Sequence, residues 1–321
     1  MSNFVGSLCT AFNSSITVQS ADFEGVTFPQ ILVDLSHSNV SLAHFTINDA
    51  IFGDEGSFIT ASGNSNVRLS ALSLISASDQ RLIHLDKSML MISSSTITNL
   101  NVSLIIAHHT VISIVDTEVR DIELGGSQKP LEQVPDGGLL MCTNCPLIMI
   151  TAVRCRNVSA NRGGVVYAQV TSQNLQATLV VEQSQFEGCL AMTYGGVVYT
   201  VNANLTLFQS EFTNNSALNG GAVNFESKSH LLVISNSSFV LNSARIAGAC
   251  LRWTGLLPSI TSVIFVKNSA LYGNPQASVS HHLILQNSTT LQPVTQFPMQ
   301  GITGQKTSEP LLLGVFDVMG N

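Results

Sequence analysis

From Gly195 to Asn274 the chain alternates short apolar runs with Gly, Asn and Ser, and the alternation repeats. Three copies read GGVVYTVNANLTLFQSEFTNNSALN, GGAVNFESKSHLLVISNSSFVLNSARI and AGACLRWTGLLPSITSVIFVKNSALYGN. Each opens on a small-residue pair, Gly195-Gly196 and Gly220-Gly221 in the first two. Each closes on Phe, two variable residues and Asn: Phe212 to Asn215, Phe239 to Asn242, Phe265 to Asn268. The Phe-to-Phe steps are 27 and 26 residues. One copy holds three apolar runs, in the second Gly221-Ala222-Val223, Leu231-Leu232-Val233-Ile234 and Ser238-Phe239-Val240. Runs of that length bounded by turn residues predict strands. A fixed period of this size marks a solenoid or a propeller, and a propeller blade needs four strands and ~40 residues. Three strands in one such repeat predict a coil of a parallel β-helix, stacked about 4.8 Å above the last.

The same ladder extends upstream. One column runs Phe23, Phe45, Leu72, Ile97, Val119 and on to Phe186. A second pairs Leu32-Val33, Phe58-Ile59, Leu82-Ile83, Ile105-Ile106, Leu139-Leu140, Val165-Val166, Val197-Val198, Ala222-Val223 and Ala249-Cys250. The expected fold is all-β, a single right-handed parallel β-helix of about nine or ten coils. The handedness follows from the rule for parallel crossovers. Each coil alone buries little, so the stack supplies the core. Phe186, Phe212, Phe239 and Phe265 are expected to stack inside, with Asn215, Asn242 and Asn268 as a matching ladder at a turn.

Breaks in the period divide the chain. Residues 1–22 are expected to form an N-terminal cap and 23–291 the repeat domain. Within it 125–136, GGSQKPLEQVPD, is a loop thrown out of a coil and a candidate partner contact. A smaller insertion lies near Thr171 to Gln176, and His281 to Leu285 reads as a last partial coil. Residues 292–309 carry Pro293, Pro298, Gly301 and Gly304 and read as a linker. Residues 310–321 read as the truncated start of a following β module of Ig-like type, so the physiological chain is expected to continue.

GGAV at 220–223 with FTNN, FVLN and FVKN resembles the GGA(I/L/V) and FxxN repeats of the polymorphic outer membrane protein family. Related repeats occur in large surface proteins of some algae, oomycetes and ciliates. The resemblance is strict over 195–270, loose over 137–194 and reduced to the apolar ladder upstream. It implies a right-handed, pectin-lyase-like β-helix at a cell surface. These motifs specify a coil shape rather than an activity.

Composition narrows the function. Charged residues make up 10% of the 321, with net charge −7 and no basic cluster, which speaks against nucleic acid. No run reaches 18 apolar residues, so no membrane span is expected in this segment. MSNFVGSLCT has no basic n-region followed by a long apolar stretch, so no signal peptide is visible in it. Asn13, Asn39, Asn101, Asn157, Asn204, Asn214, Asn236 and Asn287 head N-x-S/T sequons and are candidate glycan acceptors at an extracellular location. Turns favour Asn and Ser in any case.

The chemistry-bearing residues are few. Cys155 and Cys250 read as small core hydrophobes. Cys142 and Cys145 form a CxxC in a turn, with a local disulfide as its reading; a zinc site would need two further ligands, such as Cys155 and Cys189 from other coils. His108-His109 and His281-His282 are neighbours that point to opposite faces of a strand. Asp34, Thr60 and His84 share a column on successive coils, which leaves Asp34 and His84 about 9.6 Å apart, too far for a dyad. Carboxylates are scattered: Asp34, Asp49, Asp54, Glu55, Asp79, Asp86, Asp116. No cofactor or metal is called for. The expectation is a non-catalytic structural or adhesive scaffold, a fragment of a larger surface protein. Its partners would be other domains of the same chain, surface glycans or proteins, or further copies joined end to end. The alternatives are a polysaccharide lyase or glycoside hydrolase of the pectin-lyase-like class, which needs clustered carboxylates, and a carbohydrate-binding helix using exposed columns such as Tyr167 and Tyr199.

Overall fold

A computed structural model describes residues 2–3, 9–28, 31–52, 57–78, 82–124, 133–278, 282–286, 293–294 and 312–316. Its described residues form β-strands and turns with no α-helix. The strands stack in parallel as a β-solenoid of about ten turns. Each turn visits three sheets in order, here sheets 1, 2 and 3. The coil opening at Val33 shows the scheme: Val33–Ser36 lies in sheet 1, Asn39–Ala43 in sheet 2 and Phe45–Phe52 in sheet 3.

Alternation along each strand sends every second side chain inward. Inward residues of successive coils lie one above another. In sheet 1 one such column runs Val33, Ile59, Ile83, Ile105, Leu140, Val166, Val198, Val223 and Leu251. In sheet 3 another runs Phe23, Ile47, Leu74, Ile97, Val119, Cys155, Phe186, Phe212, Phe239 and Phe265. The last four rings stack with centroids 5.1, 4.6 and 5.4 Å apart. Together these columns form one continuous apolar core.

Two register assignments change. Phe45 and Leu72 directly follow the positive-φ residues that turn the chain into sheet 3, two residues before Ile47 and Leu74, which occupy the Phe23 column. Residues two apart face the same side of a strand, so alternation alone cannot separate the two assignments. In sheet 1 the aligned pairs are Leu104-Ile105 and Cys250-Leu251, one residue away from Ile105-Ile106 and Ala249-Cys250. Both slips fall in uninterrupted apolar runs, where no polar residue marks the outward face. Ile106 then points outward beside His84 and Met141.

The ends extend the scheme. Within residues 1–22, Cys9–Phe12 and Ser15–Val18 pair in parallel with Val33–Ser36 and Asn39–Ala43. At the other end Gln276–Ser278 is the last strand laid on sheet 1. His282–Gln286 leaves the stack: it pairs antiparallel with Pro293–Val294 and Leu312–Phe316 instead of forming a last partial coil.

Corners carry a residue with positive φ followed by one inward residue, small at many corners and large at others, as where His44 and Ala71 precede Phe45 and Leu72. His37, Lys87 and His109 have φ of 52, 48 and 51° and precede Ser38, Ser88 and Thr110. The hydroxyl of each of these donates back to the carbonyl two residues earlier, at 2.8 to 2.9 Å. The backbone N–H of the corner residue one coil below donates to that hydroxyl, as Ser14 does to Ser38 and Ser88 to Thr110. The corner into sheet 3 repeats the device with Ser184, Ser210 and Ser237. Buried turn N–H groups therefore have partners although the bend breaks the ladder.

Candidate functional site

The FxxN motif builds a third corner. Asn214, φ 55°, turns the chain and Asn215 points inward with no exposure. The Asn242 side-chain amide donates to the Phe212 carbonyl at 2.8 Å. Its oxygen accepts from the Asn215 backbone N–H at 3.0 Å and from the Asn215 amide at 3.0 Å. Asn268 repeats the pattern against Phe239 and Asn242. Asn215 does so against Phe186 and the backbone N–H of Cys189, where the ladder meets a thiol. Val158, Ile122 and Leu100 hold the same place in earlier coils, so the polar ladder belongs to the later half alone.

The paired glycines return the chain to sheet 1. Gly195 and Gly220 sit at φ 63° and 62°. At Gly196 a Cβ would lie 2.1 Å from the Gly221 carbonyl oxygen, and at Gly221 it would lie 2.1 Å from that of Ala249. Backbone packs on backbone from coil to coil there.

The residue before each pair forms an outer column: Arg162, Tyr194, Asn219 and Ala247 are in register, with Asp136 at the same place beside the insertion. The third residue after the pair forms another, Met141, Tyr167, Tyr199, Asn224 and Arg252. These two columns bring charges and rings together. Arg162 binds Asp136 through two nitrogens, at 3.0 and 2.6 Å. Its guanidinium lies 4.7 Å from the Tyr167 ring centre and 5.9 Å from that of Tyr199. Arg252 donates to Asn224 at 3.0 Å and Glu226 at 3.3 Å, and sits 5.7 Å from the Tyr194 ring. Tyr194 and Tyr199 rings are 5.5 Å apart.

This cluster corrects one expectation. Tyr167 and Tyr199 are 2% and 5% exposed, so they are not open stacking platforms for a sugar. Burial pushes both phenols up, with Glu226 adding to the effect at Tyr199. The hydrogen bonds that Arg162 donates to Asp136 raise its guanidinium further. Neutral phenols and paired charges make a lock on the outer face of sheet 1. Aligning the chain on its small-residue pairs is the signal that would have found it.

Other candidates are dispersed. Cys142 and Cys145 are joined by a disulfide. Cys155 and Cys189 lie in the sheet 3 core, where burial pushes both thiols up, that of Cys189 to about 12. Burial also raises the thiol of Cys250. Asp34, Thr60 and His84 share one outward column. Asp86 follows two residues on and accepts from or pairs with His109 at 3.4 Å, while the His84 and His108 rings are 6.0 Å apart. Asp49 occupies a positive-φ bend. Asp54, Glu55, Asp79 and His281 lie outside the described residues. Among the described residues no three His, Cys, Asp or Glu side chains converge as a metal site.

A polar groove crosses the corner between sheets 2 and 3, lined by Thr96, Asp116, Glu118, Arg154, Gln183 and Gln185. The inserted loop is described only from 133 on; the smaller one at 171–176 is exposed and held by Asn144, which accepts from the Thr171 and Ser172 N–H groups. Asn13, Asn39, Asn101, Asn157, Asn214 and Asn236 are exposed. Asn204 is half-buried and accepts from the Leu231 N–H at 2.9 Å. Asn287 lies outside the described residues. Four of the eight, Asn13, Asn157, Asn214 and Asn236, have positive φ, a conformation Asn tolerates well. No helix is long and apolar enough to cross a membrane among the described residues.

No family model matches this chain, and no curated protein or solved structure does either.

Proposed function

We propose that the chain is a non-catalytic extracellular scaffold, part of a larger cell-surface or adhesion protein. One observation carries this reading: the polar side chains with the best-defined geometry join coil to coil. Asn215, Asn242 and Asn268 bond into a ladder, Ser184, Ser210 and Ser237 into another, and Arg162 and Arg252 are each paired to a carboxylate. The right-handed, pectin-lyase-like form and the likeness to polymorphic outer membrane proteins belong to the same proposal, resting on the GGAV and FxxN motifs. The exposure of six of the sequon Asn residues, which glycans would require, accords with such a location.

The polysaccharide-cleaving alternative is tested directly. The protein is incubated with polygalacturonate and alginate, with and without calcium. A scaffold releases no unsaturated or reducing ends. Turnover that disappears on Asp34→Ala or Asp86→Ala would install the enzyme reading. A sugar-binding reading draws on the groove lined by Thr96, Gln183 and Gln185, where Thr96 and Gln185 share one column three coils apart and Gln183 lies at the corner beside Gln185. Glycan-array binding without turnover, lost on Gln185→Ala, would favour it.

A further inference from the structure

We infer that the outer face of sheet 2 is the interface through which two copies of this chain pair face to face, with their solenoids antiparallel. The inference does not depend on where the protein resides.

Sheet 2 differs from its neighbours in what its strands show to solvent. Outward residues of sheet 1 include Asp34, Asp86 and Arg252, and those of sheet 3 include Glu118, Arg120 and Glu187. The ten described strands of sheet 2 carry two charged side chains, Arg68 and Glu182. Neither joins an ion pair among the described residues. Between them the face is apolar. Met89, Met91 and Met149 are exposed, and Val111, Val115 and Leu147 are half-buried. These strands pair without a register shift. The five from Asn66–Ser70 to Thr178–Glu182 cover about 24 by 17 Å, or about 400 Å². Contiguous apolar exposure of that order marks an interaction site.

Charge favours a second copy as the occupant. The middle outward column runs Arg68, Met91, Ser113, Met149 and Val180, with Glu182 two residues beyond Val180. Its apolar and charged positions lie on either side of Ser113 at matching distances. A two-fold axis along Val111–Val115, in the plane between two such faces, lays one on the other with the coil order reversed. Met91 then meets Met149 of the second copy, Met89 meets Leu147, and Val111 and Val115 meet their own counterparts. Arg68 falls over Val180, with Glu182 about 6.6 Å further along that strand, within reach of a guanidinium. An isologous contact makes this pairing twice. The other in-plane axis, along the solenoid, would set Arg68 on Arg68 and Met89 on Ser93. Charge and apolarity therefore select the first. His109 and Asp116 occupy the flanking corners and meet their own counterparts only at the rim, where water and salt screen them. The contact closes on itself, so it produces a dimer rather than open chains. The two faces together cover about 800 Å², below the usual size of a stable interface, so the dimer is weak.

Sedimentation of the full chain over a wide concentration range tests this. A monomer–dimer equilibrium is expected, with nothing larger. Met91→Glu, which buries a carboxylate against Met149 twice per dimer, should leave only monomer. Arg68→Glu or Glu182→Arg alone should weaken the dimer about tenfold, because each removes two surface pairs. The double variant should restore it. All four substituted chains should keep the circular dichroism of wild type, since the side chains point outward. A monomer at every concentration would overturn the inference, and so would growth beyond the dimer. A dimer that Met91→Glu leaves intact would do the same, because the contact would then lie on another face. A double variant no tighter than the single ones would rule out the antiparallel arrangement.

Discussion

Phe239 and Asn242, three residues apart in one motif, have different roles: the ring fills the core and the amide closes the bend. Phe239 has no exposure and lies between Phe212 and Phe265. Phe239→Ala opens a cavity that the flanking coils cannot collapse into, and should cost ~3–5 kcal/mol in chemical denaturation. Asn242→Ala strands the Phe212 carbonyl and the Asn215 N–H in a buried place. Each orphaned group costs ~1–3 kcal/mol. Asn268 is only partly buried, at the open end. Asn268→Ala should therefore lower the unfolding midpoint less than Asn242→Ala, and equal losses would show that the ladder does not bear on stability.

At the scale of the element, a coil is three short strands whose bends each set one side chain inward, polar or small at many corners and apolar at others such as Leu100 and Ile122. Strand positions were legible because the apolar runs are short and bounded. Register was less so. Phe45 and Ile47 both face inward, and only pairing with Ala21 and Phe23 separates them. The Tyr–Arg lock was hidden for a related reason: Asp136, Arg162 and Tyr199 are far apart in sequence and meet only when the glycine pairs are superposed. Those pairs set the spacing of the coils. A methyl at Gly221 would meet the Ala249 and Ser243 carbonyl oxygens at 2.1 and 2.5 Å, both backbone atoms. Gly221→Ala should thus force adjacent coils apart and lower the melting temperature by several degrees. A melting temperature equal to wild type would mean that the return turn yields without strain.

For the whole molecule, stability is a sum over coils and their contacts. Among the described residues central coils have a full neighbour on both sides, while beyond the terminal ones lie only Ser2–Asn3 on Val26–Phe28 at one end and Gln276–Ser278 on Leu251–Trp253 at the other. Inward residues such as Ile105, Leu140 and Val166 are fully buried, while Phe23 and Phe265 are not. Opening from the ends requires breaking one coil-to-coil contact, and opening the middle requires two. Amide hydrogen exchange should therefore be faster in 9–28 and 259–272 than in 105–223. Uniform protection along the chain would indicate that something covers both ends.

The sequence by itself determined that this chain is a stack of parallel coils, and which residues repeat from coil to coil. Period and alternation are local properties, and FxxN with the glycine pair prescribes one bend and one return wherever it occurs. Tertiary structure decided the rest. It set which of two inward residues shares a column, because parity is blind to a shift of two. It buried Tyr167 and Tyr199 beneath Arg162 and Tyr194, because residues on the outer face of a strand are covered or open according to what neighbouring coils and corners place over them. It spread the described carboxylates over different coils and faces and brought Cys155 and Cys189 together in the sheet 3 core, because the distance between two side chains in a solenoid depends on coil number and face, and neither can be read from their spacing along the chain.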